Sequence, residues 1–186
     1  MEFKLEIWAS GLWIFACVLI LISVLGSMFL PLYLNIWNLF HTISYGALAL
    51  GLFLFSIGLS KKNKDISQLA IAAAVCYIIL FAVLLFTDPT ILFANQSFII
   101  KTIALVAVFS AALFLVYFGF WIFNSRYAWK IEQPALFAFV LNLISAFFLF
   151  FEKVSSITFY KLEVSYLILI IAMAANIFLL KKIKID

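Results

Sequence analysis

Two groups of polar side chains stand out in this chain because their spacing places each group on a single helix face. At about 100° per residue, Asn35, Asn38, His41, Thr42 and Tyr45 fall within an arc of roughly 120°. Asn142, Ser145 and Glu152 recur together with Ala135, Ala138 and Leu149 at offsets of three and four. Amides, hydroxyls, an imidazole and a carboxylate inside a bilayer can hold a polar solute or pass a proton, and an ionisable group ending a polar stripe is the pattern of a proton-coupled site. On this reading the outer halves of the second and fifth membrane spans share a polar pocket. Asp88 and Lys101 stand at its rim, with Lys161 and Glu163 beside them. The competing use of the same residues is structural. Asn, Ser, Thr and Tyr bond to neighbouring helices, His41 is a satisfied side chain near an interface, and Glu152 pairs with the adjacent Lys153 among lipid headgroups.

Other chemistries find no starting point. His41 is the single histidine, so a haem held by two histidines is excluded within one chain, and no His or carboxylate cluster offers three ligands to a catalytic metal. Cys17 and Cys76 lie in separate spans without C-x-x-C spacing and read as small apolar packing residues. H-E-x-x-H, G-x-S-x-G, a Walker loop and a Gly-rich dinucleotide turn are all absent, and no lysine sits mid-span to form a Schiff base. No cofactor and no metal is implied, and an enzymatic role is disfavoured. The net charge of +4 is explained by membrane topology and anionic lipid rather than by nucleic acid.

The elements that must position these residues are set by composition. With 68% apolar residues, 11% charged ones and 23 Phe in 186 positions, the chain cannot cover itself with polar groups in water. Apolar runs reach the ~20 residues a helix needs to cross ~30 Å of hydrocarbon about six times. The expected spans are residues 5–30, 33–60, 66–87, 99–123, 134–152 and 162–180, giving one all-α polytopic membrane domain over residues 1–186. Runs such as Leu19-Ile20-Leu21-Ile22 and Phe147-Phe148-Leu149-Phe150-Phe151 do not alternate, which excludes a β-barrel. Pro31, Pro89 and Pro134 fall at span boundaries, where a missing N–H costs little. The first span is read as a membrane helix rather than a signal peptide: its apolar stretch is too long, Glu2 and Glu6 flank it, and no small-x-small cleavage site precedes Pro31.

With a cytoplasmic N-terminus, Lys4, Lys61, Lys62, Lys64, Arg126, Lys130, Lys181, Lys182 and Lys184 lie inside, against Lys101, Lys153 and Lys161 outside. This positive-inside bias implies a multi-pass protein of the cell membrane with both termini cytoplasmic. Asn95-Gln96-Ser97, in the longest outer connection, is treated as a chance sequon. Residues 88–98 contain the apolar Ile91-Leu92-Phe93-Ala94, too short to cross and suited to a re-entrant or interfacial segment capping the outer pocket.

Opposite the polar arc of the second span run Ser44, Ala47, Gly51 and Gly58, a small-residue stripe that admits a second helix at close range. With two protein-facing sides, this helix is expected at the centre of the bundle. Trp8, Trp13, Trp37, Trp121 and Trp129 sit near span ends and read as interfacial anchors, with Trp37 alone placed to touch a ligand. Two functions follow. The first is a non-catalytic hydrophobic subunit or scaffold of a larger energy-transducing or transport complex, whose partners are the bilayer and other membrane subunits or further copies of the chain. The second is a small solute carrier or substrate-binding component built on the outer polar pocket.

Overall fold

Every regular element described in the computed structural model is helical, and six helices are long and apolar enough to cross a membrane. The structure describes residues 3–86, 98–125, 131–155 and 164–183, without the side chains of 98, 99 and 152–155. The elements are α1 (Lys4–Phe29), a 3-10 turn (Pro31–Tyr33), α2 (Leu34–Leu59), α3 (Lys64–Phe86), α4 (Phe98–Asn124), α5 (Glu132–Ser155) and α6 (Val164–Lys182). β-branched and aromatic residues are indifferent helix formers in water. In lipid, however, an unpaired N–H or C=O has no solvent partner, so each segment closes its hydrogen bonds within itself.

The helix ends are local chemistry. Pro31 occupies the first position of the 3-10 turn, where its missing N–H is no loss. Between α2 and α3, the Asn63 N–H returns to the Leu59 carbonyl at 2.8 Å while its side-chain oxygen caps the Ile66 N–H at 3.1 Å. α6 ends on Lys181 and Lys182, cations that suit the negative end of the helix dipole.

Each helix packs against its neighbours in sequence, and α1 also packs against α6, so the six close into a ring. The expectation of a central second helix is therefore corrected: α2 is one member of the ring, flanked by α1 and α3. Aromatic side chains occupy the hub instead. Phe55 of α2 lies with its ring centroid 5.1 Å from Phe114 and 5.2 Å from Phe118 of α4, and Trp13 of α1 meets Phe114 at 6.0 Å. Trp13 is 1% exposed and its indole N–H donates to the Leu48 carbonyl at 3.2 Å, so it is a core residue and not an interfacial anchor. Trp8, by contrast, is 70% exposed.

At one end of the ring Phe3 packs on Trp121, their centroids 6.3 Å apart, and Lys62 reaches Glu6. The start of α1, the α2–α3 turn and the end of α4 therefore share that end, which also carries the exposed Lys61 and Lys64. Large apolar side chains such as Phe15, Ile22, Phe109, Phe137, Phe147 and Phe178 point outward around the ring, the inverse of a water-soluble bundle.

Candidate functional site

The α2 polar arc faces α3. His41 Nε2 lies 2.9 Å from the Tyr45 hydroxyl, and the Tyr45 ring packs 6.0 Å from that of Tyr77 on α3. Tyr45 is buried, Asn38, His41 and Thr42 are half-buried, and Asn35 is exposed at the start of the helix. The Asn38 side-chain nitrogen is buried with no hydrogen-bond partner among the described residues. Trp37 is engaged by its own hairpin: its indole N–H donates to the Leu30 carbonyl at 3.0 Å, and its backbone carbonyl accepts from Ser23 Oγ at 2.7 Å.

The α5 polar stripe faces elsewhere. Ala135, Ala138, Asn142, Ser145 and Leu149 are all buried, and Asn142 meets α6. Its amide nitrogen donates to Asn176 Oδ1 at 3.0 Å, while Asn176 returns a bond to Asn142 Oδ1 at 3.1 Å. A further bond from Asn142 to the Ala138 carbonyl, at 2.8 Å, ties the pair to its own helix. Gly119 of α4 completes the junction, since a Cβ there would come 3.2 Å from Asn142 Cβ. Ser145 Oγ is buried without a partner among the described residues.

The ring sets these two stripes apart. α2 sits between α1 and α3, and α5 sits between α4 and α6, on opposite sides of the closed circle. The structure thus brings His41 to Tyr45 and Asn142 to Asn176, but it does not bring the α2 arc to the α5 stripe. Lys101 is exposed on α4. Glu152 lies on the α5 backbone with its side chain outside the description, and Asp88, Lys161, Glu163, the Asn95 sequon and the apolar Ile91–Ala94 run lie outside the described residues.

The small-residue stripe of α2 faces α1. A Cβ at Gly51 would stand 2.8 Å from the Trp13 indole nitrogen and 3.1 Å from the Ala9 carbonyl. At Gly58 it would stand 2.7 Å from the Glu6 carboxyl carbon. Both glycines therefore open notches for α1 side chains. Ser44, on the same stripe, is buried and donates to the His41 carbonyl at 2.5 Å, and Ala47 packs half-buried against the core.

The Gly58 notch holds a buried ion pair. Glu6 is fully buried and paired with Lys62, 56 residues away, their side chains only 1% and 7% exposed. The Lys62 ammonium also sits 3.9 Å from the centre of the Phe3 ring, a cation–π contact in a desolvated setting. The second carboxylate oxygen of Glu6 has no hydrogen-bond partner among the described residues, and Ser10 Oγ donates to the Glu6 backbone carbonyl at 2.9 Å. Alongside it, Ser67 Oγ donates to the Ser56 carbonyl at 2.9 Å, joining α2 to α3.

From sequence, Glu6 and Lys62 read as ordinary boundary charges, and Asn176 belongs to neither polar stripe. The available signal was a lone Asn within the apolar run of α6, a residue that needs a partner in lipid. Chemically, the arrangement joins helices in pairs. Among the described residues no group of three His, Cys, Asp or Glu could hold a metal. A groove of about 280 Å³ between α4 and α5 is lined by apolar residues including Phe109, Ala112, Ala146 and Phe147 and opens outward. No protein-family profile, no curated protein and no solved structure matches the chain.

Proposed function

We propose that the chain is a non-catalytic integral protein of the cell membrane, with both termini cytoplasmic. In this reading it serves as a hydrophobic subunit or scaffold of a larger energy-transducing or transport assembly. The observation that carries the reading is the engagement of interior polar groups with one another across helix seams: Glu6 with Lys62, Asn142 with Asn176, Ser56 with Ser67. Between them the hub is filled by Trp13, Phe55, Phe114 and Phe118. Polar groups engaged in this way hold helices in register, and what the bundle offers to its surroundings is an apolar wall suited to lipid and other membrane helices. Purification in mild detergent tests the proposal: stoichiometric partner subunits or a homo-oligomer are expected, and a monomer with no partner overturns it.

A second reading, a small carrier with an outward polar site, is favoured by Asn38, whose buried amide nitrogen lacks a partner among the described residues beside half-buried His41 and Thr42. On that reading Asn38→Leu and Glu152→Gln abolish uptake or ligand-induced thermal stabilisation. Unchanged values in both variants remove it.

A further inference from the structure

Residues 7–60 cross the bundle twice without a single Asp, Glu, Lys or Arg, and the turn that joins the two crossings is as free of charge as the helices. At that turn Leu32 is 95% exposed and Phe29 75%, with Leu30 and Tyr33 about half exposed. Four leucine and aromatic side chains standing free in water would form an apolar patch of the kind soluble surfaces avoid.

The turn is tied together by hydrogen bonds of its own. The Leu30 N–H donates to the Gly26 carbonyl at 2.8 Å. The Leu30 carbonyl accepts twice, from the Tyr33 N–H at 3.1 Å and from the Trp37 indole at 3.0 Å. Pro31 has no N–H to satisfy, and Gly26 leaves room for the Trp37 ring, to which a Cβ would come within 2.5 Å. Neither the 3-10 turn nor α2 has a side-chain cap among the described residues, so the start of this helix pair relies on backbone bonds and on acceptors in its surroundings.

These two facts bracket the depth of the tip. Its side chains shun water, while a turn and helix start without side-chain caps are best placed where headgroup or water acceptors remain within reach rather than in dry hydrocarbon. The geometry agrees. From Glu6, at the lysine-rich end, to Leu30 is 24 residues, or about 36 Å of helix, which exceeds the ~30 Å hydrocarbon layer and falls within the ~40–45 Å that includes headgroups.

We propose that the α1–α2 tip is a lipid-binding wedge: Phe29, Leu30, Leu32 and Tyr33 lodge in the headgroup–acyl boundary of the leaflet opposite the lysine-rich end. The bilayer supplies apolar contact for the side chains and places ester and phosphate oxygens within reach of the uncapped helix start. The inference rests on the membrane reading of the chain and goes beyond the proposed subunit role.

The test places an environment-sensitive nitrobenzoxadiazole fluorophore on Leu32→Cys, and separately on Phe29→Cys. Both variants are reconstituted in phosphatidylcholine vesicles with iodide on both faces. The unsubstituted chain, with Cys17 buried and Cys76 half-buried, sets the labelling background. Lys61→Cys, at the opposite end, is the water-exposed reference. An iodide quenching constant at 32 and 29 about tenfold below that at 61, with strong quenching by lipids carrying a nitroxide near the glycerol, is the expected result. Constants within about twofold of that at 61 overturn the proposal. A tip protected from maleimide in native membranes but open to iodide in vesicles of the purified protein also overturns it. That last outcome assigns the tip to a protein partner and leaves the subunit reading standing.

Discussion

Removing the Lys62 ammonium while leaving the Glu6 carboxylate tests whether the lysine-rich end is held by charge. In Lys62→Met the carboxylate stays in the Gly58 notch, where Glu6 is fully buried and one of its oxygens already lacks a partner among the described residues. Deleting one member of a buried pair typically costs about 3–5 kcal/mol, because the remaining charge is neither solvated nor compensated. The cation–π contact with Phe3 contributes about a further 0.5–2 kcal/mol that the methionine does not replace. Glu6→Gln costs less, since the Lys62 stem can stay packed while its ammonium turns toward the headgroups. Glu6→Gln/Lys62→Met removes both charges and restores most of the loss, giving a coupling energy of at least about 2 kcal/mol, within the range for contacting residues. The measurement is reversible unfolding in mixed detergent micelles, followed by circular dichroism across the four members of the cycle. A Lys62→Met loss below about 1 kcal/mol, the range of exposed ion pairs, would refute the argument that burial controls this contact. A double variant whose loss is the sum of the two singles would refute the coupling.

Glycine substitutions on the two faces should separate packing from propensity. Gly51→Val drives into Trp13 and the Ala9 carbonyl and should cost about 1–3 kcal/mol, whereas Gly11→Ala, with nothing within 4 Å of its added Cβ, should be neutral or gain about 0.4–1 kcal/mol in the same unfolding assay. Asn142→Leu leaves the Asn176 amide without its reciprocal partner and should cost about 0.6–2 kcal/mol; Asn142→Leu/Asn176→Leu should recover part of that, and equal losses in single and double variants would deny the pair its role. Reporter fusions at the two ends should both be active on the cytoplasmic side; activity on opposite faces would break the charge-bias argument.

The helices themselves were legible from residue order. Long apolar runs, prolines at their edges and lysines between them are local features, and in lipid the backbone has no alternative to an internally bonded helix. The faces were legible as well: the α5 stripe from Ala135 to Leu149 is buried, and Gly51 and Gly58 lie against a neighbouring helix. The identity of each neighbour was not. Periodicity gives the direction a side chain leaves its own axis, but the same direction serves any helix brought to that side. Periodicity is thus compatible with a pocket shared between Asn142 and α2, whereas the ring sets Asn142 against Asn176 of α6.

Trp13 and Glu6 show the same division. Near the end of a span, both carry the sequence signature of interfacial residues, an aromatic belt and a boundary charge. Only the approach of α2, with glycines at 51 and 58, turns those sites into a notch for an indole and a notch for a carboxylate. Sequence alone determined that this chain is helical, with six segments long and apolar enough to cross a membrane, because those properties sum over local composition. Tertiary structure alone decided which polar groups meet, because a contact between residues 6 and 62, or 142 and 176, exists only once the ring closes and brings distant segments within hydrogen-bonding reach.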